Sequence, residues 1–435
     1  MLRRIFPLLA LLLAGATAAP TTQDAHSTAN YDESKVVSYT LDDPLTLANG
    51  QKVTDADTWF KVRRPELLKL VAENIYGISP PAPAGMKFDV WDEDRQARDG
   101  KAVRKQVTIS FAGFDPLDHA RGGHGPTISL LMYLPGEATG PVPVFLCLSF
   151  QPLQSIDPDP EIKLMDQWVS KTHERRAGAD AMRSTSKSFK IDQVLSRGYG
   201  IAFIYYQQIE PDFAGGLQYG VRSMFLKPGQ TQFADDEWGS IGAWAWGASR
   251  ALDYLQTDPD VDGKRVAILG QSRLGKTAVW EGANDPRFAM VIACNSGRGG
   301  ASLGHRNFGE TIKHLNDAFP YQFAINFQKY GLHTDQLPID SHDVLALIAP
   351  RPVYLTTGSL DTWSDPHGEF LAAVAAGPVF KLLGGDGLDT DVMPPLDTPI
   401  MHTIAFHEHT GKHEINQFDW DQILKFADLQ LKSLK

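Results

Sequence analysis

An α/β fold, with a mostly parallel central sheet between two layers of helices as a three-layer sandwich, is what the sequence predicts. Two observations predict it. From about residue 200 onward, short apolar runs alternate with amphipathic segments, strand then helix, and that alternation specifies parallel strands joined by helical crossovers. The runs themselves, VFLCLSF at 144–150 and GIAFIYY at 200–206, are apolar at most positions. Such runs suit strands buried on both faces rather than on one. The handedness rule for crossovers then leaves few topologies.

The chain has 435 residues, 43% hydrophobic and 21% charged, a composition that excludes a disordered polymer. Its start is set apart. Arg3 and Arg4 precede IFPLLALLLAGA, which is too short for the roughly 20 residues a bilayer crossing takes, and Ala16-Thr17-Ala18 supplies small residues for cleavage before Ala19. Residues 1–18 therefore read as a secretory signal peptide, with the mature protein exported to the periplasm or beyond and no membrane contact after cleavage. No cysteine follows the apolar run, so a lipid anchor is not expected. Residues 19–34 read as a loose polar tail, and 35–435 as a single catalytic domain.

Within that domain, RPELLKLVAENIY at 64–76 carries an apolar stripe and predicts a helix. Strands follow at 102–111, 127–135 and 142–150. The alternation then runs through a strand at 200–206, a helix at 241–255, a strand at 265–270, a helix at 274–283 and a strand at 288–296. After an irregular stretch come a helix at 342–349, a strand at 352–358, a strand at 402–408 and a closing helix at 419–434. The connections at 151–190 and 301–340 exceed ordinary loop length and read as functional loops over one edge of the domain.

Lys and Arg number 41 against 52 Asp and Glu, a net charge of -11. An acidic surface repels phosphate backbones, so nucleic acid is not an expected partner. The two cysteines, Cys147 and Cys294, sit inside apolar runs and read as buried thiols, which excludes a disulfide framework. No repeat or linker divides the chain, and a monomer is expected.

Chemistry in open α/β sheets gathers at the carboxyl ends of the strands. Three of these ends carry the residues of a nucleophilic triad. RVAILG runs into a helix through Gly270-Gln271-Ser272-Arg273-Leu274-Gly275-Lys276, a strand–turn–helix context that projects a serine hydroxyl upward. The second glycine lies one place beyond the G-x-S-x-G pattern, and a plain helix N-cap would also explain Ser272. The other two ends favour the nucleophile. Asp361 lies three residues past the strand PVYLTTG, while nearby Asp365, followed by Pro366, reads better as a helix cap. His413 lies in the short loop after the strand HTIAFHE. The order Ser272, Asp361, His413 is that of the α/β-hydrolases, with His as general base and Asp holding its tautomer. His402, His407, His409 and His413 match no H-E-x-x-H spacing, and two of them fall in a strand pattern, so no metal is expected.

With these residues in view, the chain resembles the bacterial branch of the glucuronoyl esterases, carbohydrate esterase family fifteen. The family elbow G-x-S-R-x-G-K is matched by Gly270, Ser272, Arg273, Gly275 and Lys276. Further matches are RRPELLKL, GAWAWGASRALDYL, SGRGGASL-x-x-R-x-x-GET, LALIAPRPVYL, LDTWSDP, and DW six residues past His413. The resemblance runs from about residue 40 to the end.

It implies an α/β-hydrolase and a serine esterase that needs no cofactor. Its implied substrate is the ester between 4-O-methyl-glucuronate branches of glucuronoxylan and lignin alcohols. Ser272 would be the nucleophile, His413 the base and Arg273 an oxyanion-stabilising donor. Lys276, Glu310 and Trp363 would meet the sugar. The chain departs from the family in three places. Gln271 stands where fungal members have cysteine. Asn295 stands where many members carry the triad glutamate, and an amide cannot hold an imidazolium by charge, so Asp361 inherits that role. Gln151-Pro152-Leu153-Gln154 replaces a G-N-H-T loop near the pocket rim. A deacetylase or feruloyl-type esterase on the same triad is the alternative, and a non-catalytic carbohydrate-binding relative would have no reason to keep all three triad residues.

Overall fold

The computed structural model describes residue 26 and residues 28–112, 126–178 and 189–432; the signal segment expected at 1–18 lies outside them. Helix α1 (Arg64–Val71) carries Pro65 at its second position, directly after the π turn Trp59–Arg63 of a helical run that begins at Ala56, and it buries Leu67 and Val71. Its chain continues in wider π turns through Tyr76.

The strands are β1 (Lys87–Ala97), β2 (Ala102–Ser110), β3 (Thr127–Pro135), β4 (Val142–Ser149), β5 (Gln167–Val169), β6 (Glu174–Arg176), β7 (Gly200–Tyr205), β8 (Val261–Gln271), β9 (Met290–Cys294), β10 (Val353–Gly358), β11 (Ile400–Met401) and β12 (Ile404–His409). Ten of them form one sheet in the order β1-β2-β3-β7-β4-β8-β9-β10-β12-β11. From β7 to β12 every neighbouring pair is parallel. The first three strands and β11 pair antiparallel at the two ends. β1 carries no apolar run for sequence reading to find: KFDVWDEDRQA is charged and mostly exposed. That suits an edge strand, where charge blocks pairing with a further chain.

Alternate residues of the buried strands feed two cores. Val144, Leu146, Val266, Ile268, Val291 and Leu355 face one, and Phe145, Cys147, Ala267, Leu269, Ile292 and Tyr354 the other. Helices α2 (Ile191–Ser196) and α8 (Gln417–Gln430) close the second core, with Val194, Trp420, Ile423 and Phe426 buried against it. Helices α3 (Ser240–Leu255), α4 (Arg273–Asn284), α6 (Ser341–Ala346) and α7 (Pro366–Leu382) close the first. The result is helix, sheet, helix, the three-layer arrangement read from the sequence. Cys147 and Cys294 are buried free thiols.

The long connections hold little regular structure. Among the described residues the first holds a 3-10 turn (Leu153–Ser155) and the β5–β6 hairpin, and the second the short helix α5 (Ile312–Ala318) and two 3-10 turns. Part of the segment read as a loose tail is tied to the second connection. Asn30 donates to the Asn307 carbonyl at 3.0 Å, and its own carbonyl accepts from Gly309 N at 2.8 Å.

Candidate active site

At the end of β8 the backbone of Ser272 takes φ 56° and ψ -128°, a strained turn that lifts its side chain out of the sheet. Two glycines make the turn possible. A Cβ on Gly270 would stand 1.9 Å from the Leu274 carbonyl oxygen, and one on Gly275 would crowd Ser296 at 3.0 Å. Ser272 occupies the N-cap position of α4, yet its hydroxyl makes no capping bond, so capping does not explain the residue.

Two strands away β10 ends, and its chain turns into Asp361. On the adjacent β12 the loop carries His413, whose Nδ1 lies 2.6 Å from Asp361 Oδ2. Ser364 Oγ donates to the same carboxylate oxygen at 2.6 Å. The carboxylate is buried and the imidazole half exposed. The neighbouring acid is committed elsewhere. Asp365 caps α7 through Gly368 N and accepts from Arg306, Arg298 and Ser302, while 1% exposed.

Arg273 points its guanidinium at Asp212 and lies 4.9 Å over the Phe319 ring. Burial works against its charge, but the Asp212 carboxylate outweighs that, and its pKa stands above the ordinary arginine value. Lys276, one turn further along α4, is buried and meets Glu310 at 3.2 Å. Glu310 arrives on the second long connection, fixed by its N–H to the Trp363 carbonyl at 2.8 Å. Trp363 is in ring contact with two imidazoles, His26 at 3.8 Å and His314 at 5.2 Å between ring centroids.

All seven residues singled out in the sequence, Ser272, Arg273, Lys276, Glu310, Asp361, Trp363 and His413, line one cavity of about 530 Å³. Sequence reading missed others on the same wall or just behind it: His314, Phe319 and Gln322, together with the buried acids Asp212 and Glu369. Glu369 on α7 accepts from Gly297 N and Ser296 Oγ, and burial pushes its pKa up to about 8. These residues belong to no motif that the sequence offered.

Of the four C-terminal histidines, two pair with one acid. His407 Nε2 and His409 Nδ1 lie 2.7 and 2.9 Å from Asp419 Oδ1, all three fully buried. Their remaining nitrogens meet the Tyr354 hydroxyl and the Lys412 carbonyl, so the cluster is closed by hydrogen bonds and braces the loop that carries His413.

Residues 231–384 match the family model for fungal glucuronyl esterases. The chain is 42% identical to the carbohydrate esterase MZ0003 of an unknown prokaryotic organism, over 92% of this chain and 91% of that protein. It superimposes on the glucuronoyl esterase of Solibacter usitatus with a TM-score of 0.87 and 45% identity, covering 92% of this chain and all of that one. A promiscuous esterase of carbohydrate esterase family fifteen from a marine bacterial metagenome gives 0.82 and 40% over the same shares. The chain thus belongs to the glucuronoyl esterases of carbohydrate esterase family fifteen, and is a carboxylic ester hydrolase.

Proposed function

We propose that this esterase hydrolyses esters of 4-O-methyl-glucuronate with lignin alcohols, where such uronates branch from xylan. One observation carries the reading. The cavity that holds Ser272 and the Asp361–His413 pair also holds a buried cation and acid, Lys276 and Glu310, beside Trp363. An esterase for simple acyl groups needs the first set and has no use for the second.

In the proposed reaction His413 takes the Ser272 proton as the hydroxyl attacks the C6 carbonyl. Asp361 keeps Nδ1 protonated and stabilises the imidazolium. The oxyanion is met by the Arg273 side chain and the backbone N–H after the nucleophile. The imidazolium returns its proton to the departing alcohol, and water, activated by the same base, cleaves the acyl-enzyme. Lys276 and Glu310 would meet sugar hydroxyls, since the ester itself carries no charge. Among the described residues no helix is long and apolar enough to cross a membrane, and export is proposed from the basic start and apolar stretch of residues 3–18.

The test compares benzyl glucuronate with a small activated acetate. A clear preference for the glucuronate ester, abolished in a folded Ser272→Ala protein, is the expected outcome. Preference for the acetate would move the assignment to a deacetylase.

A further inference from the structure

Asp212 belongs to none of the motifs in the sequence, yet beside the cavity its carboxylate accepts four side-chain hydrogen bonds. It follows the single helical turn Tyr206–Ile209 after β7 and is 3% exposed. Its Oδ2 accepts from the Arg273 guanidinium and from the Tyr206 hydroxyl at 3.0 Å. Its Oδ1 accepts from the Tyr321 hydroxyl at 3.0 Å and Gln322 Nε2 at 2.8 Å. Four donors from three separate parts of the chain hold a charge whose one cationic partner among the described residues is Arg273, itself seated on Phe319.

We propose that Asp212 is the counter-ion and positioning residue of Arg273, letting the guanidinium stabilise a transient oxyanion without retaining the acid product. The inference rests on the reading of Arg273 given above. Hydrolysis converts a neutral ester into a carboxylate, and a buried guanidinium without a partner binds carboxylates through paired, charge-assisted hydrogen bonds. Such a site would stabilise its own product, and release would then limit turnover. A fixed Arg–Asp pair behaves differently. Its net charge is zero, so at a distance it attracts an anion weakly. At contact its guanidinium, which lines the same cavity as Ser272, can still donate to the charge that develops there, without reorganisation. The four bonds on Asp212 keep that dipole aimed.

The measurement is calorimetric binding of free glucuronate to the Ser272→Ala protein, with and without Asp212→Asn, beside kcat and KM for the methyl ester in proteins that keep Ser272. Losing the counter-ion should tighten glucuronate about tenfold, the scale of one partly screened charge pair. It should also lower kcat for the ester, with KM moved much less. A merely structural Asp212 would weaken acid and ester together, and that result in a folded variant overturns the proposal, as does unchanged glucuronate affinity.

Should Asp212→Asn fail to fold alone, the Arg273→Gln change alongside it leaves no unpaired buried charge. Adding Asp212→Asn to Ser272→Ala/Arg273→Gln should then tighten glucuronate, because the lone Asp212 repels it; no tightening overturns the proposal. If the wild-type protein cleaves no glucuronate ester, the functional reading fails and takes this inference with it. If the ester is cleaved but glucuronate binding stays unmoved, the inference alone fails.

Discussion

The side-chain amide of Asn295 donates to the backbone carbonyl of Glu414, 3.0 Å away, and so fastens the residue next to His413. Asn295 closes β9 in the left-handed region, at φ 46°, which asparagine tolerates better than most residues. The family resemblance implied a triad glutamate at that position. A carboxylate has no proton to give a carbonyl, so a donor here and an acid at Asp361 go together.

Asn295→Asp is therefore expected to be costly although it is nearly isosteric. It turns a donor into an acceptor facing the Glu414 carbonyl and adds charge beside Asp361. The loss of a buried hydrogen bond costs about 1–3 kcal/mol. Melting temperature should fall, and kcat with it, as the loop holding His413 loosens. An Asn295→Asp enzyme with wild-type kcat would show that this bond does not position the base.

Asp361 and Asp365 stand four residues apart and should fail in different ways. Asp361→Asn keeps the shape beside His413 but removes the charge, and comparable changes lower kcat by about 10⁴. Asp365→Asn removes the charge that Arg306 and Arg298 share at the start of α7, so it should lower the melting temperature first. Steady-state kinetics and thermal melts on the two variants separate them. If Asp361→Asn keeps more than about a tenth of wild-type kcat, it is not the triad acid.

How much of this could be read in advance follows from where each residue sits. Ser272, Asp361 and His413 each follow a strand whose apolar run is visible, so topology alone brings them to one edge. Lys276 rides one turn beyond Ser272 on the same helix. Glu310 had to be carried in by family resemblance, because a long irregular connection delivers it. Asp212 and Glu369 were illegible, and Asn295 showed only as a departure from the family pattern. Their meaning lies in partners tens or hundreds of residues away, and a buried hydrogen-bond network leaves no periodicity. β1 was missed for a related reason, since an exposed edge strand carries charge where the strand signal expects apolar residues.

Glu310→Ala and Trp363→Ala should act on sugar recognition rather than on chemistry. Both are expected to raise KM for a glucuronate ester well beyond any change on a small acetate, because uniform binding energy appears in KM. Glu310→Ala also strands Lys276, buried without its partner, so it should cost stability as well. Equal losses on both substrates would mark a folding or general catalytic defect.

Glu369 gives stability a pH dependence with a definite sign. Burial raises its folded pKa to about 8, whereas the unfolded chain titrates near an ordinary glutamate. The folded state thus holds this proton more tightly, and the stability it contributes is complete below the unfolded pKa and is lost as pH rises through about 8. Glu369→Gln, which keeps the acceptor for Gly297 N and Ser296 Oγ, should flatten this part of the profile. Melting temperatures at pH 5 and pH 9 test it: the variant should gain on wild type at the higher pH, and equal slopes would refute the assignment.

The two imidazoles in contact with Trp363 make this side chain a built-in optical reporter. Imidazole in ring contact quenches indole emission, so Trp363, with His26 at 3.8 Å and His314 at 5.2 Å between ring centroids, should be dim when the cavity is empty. It is one of nine tryptophans, but five of the others are fully buried in the body of the molecule, out of reach of anything entering the cavity. A sugar ring that takes the place of His26 would lift the quenching at constant pH, and the emission change would follow occupancy directly, on a protein with no label and no turnover.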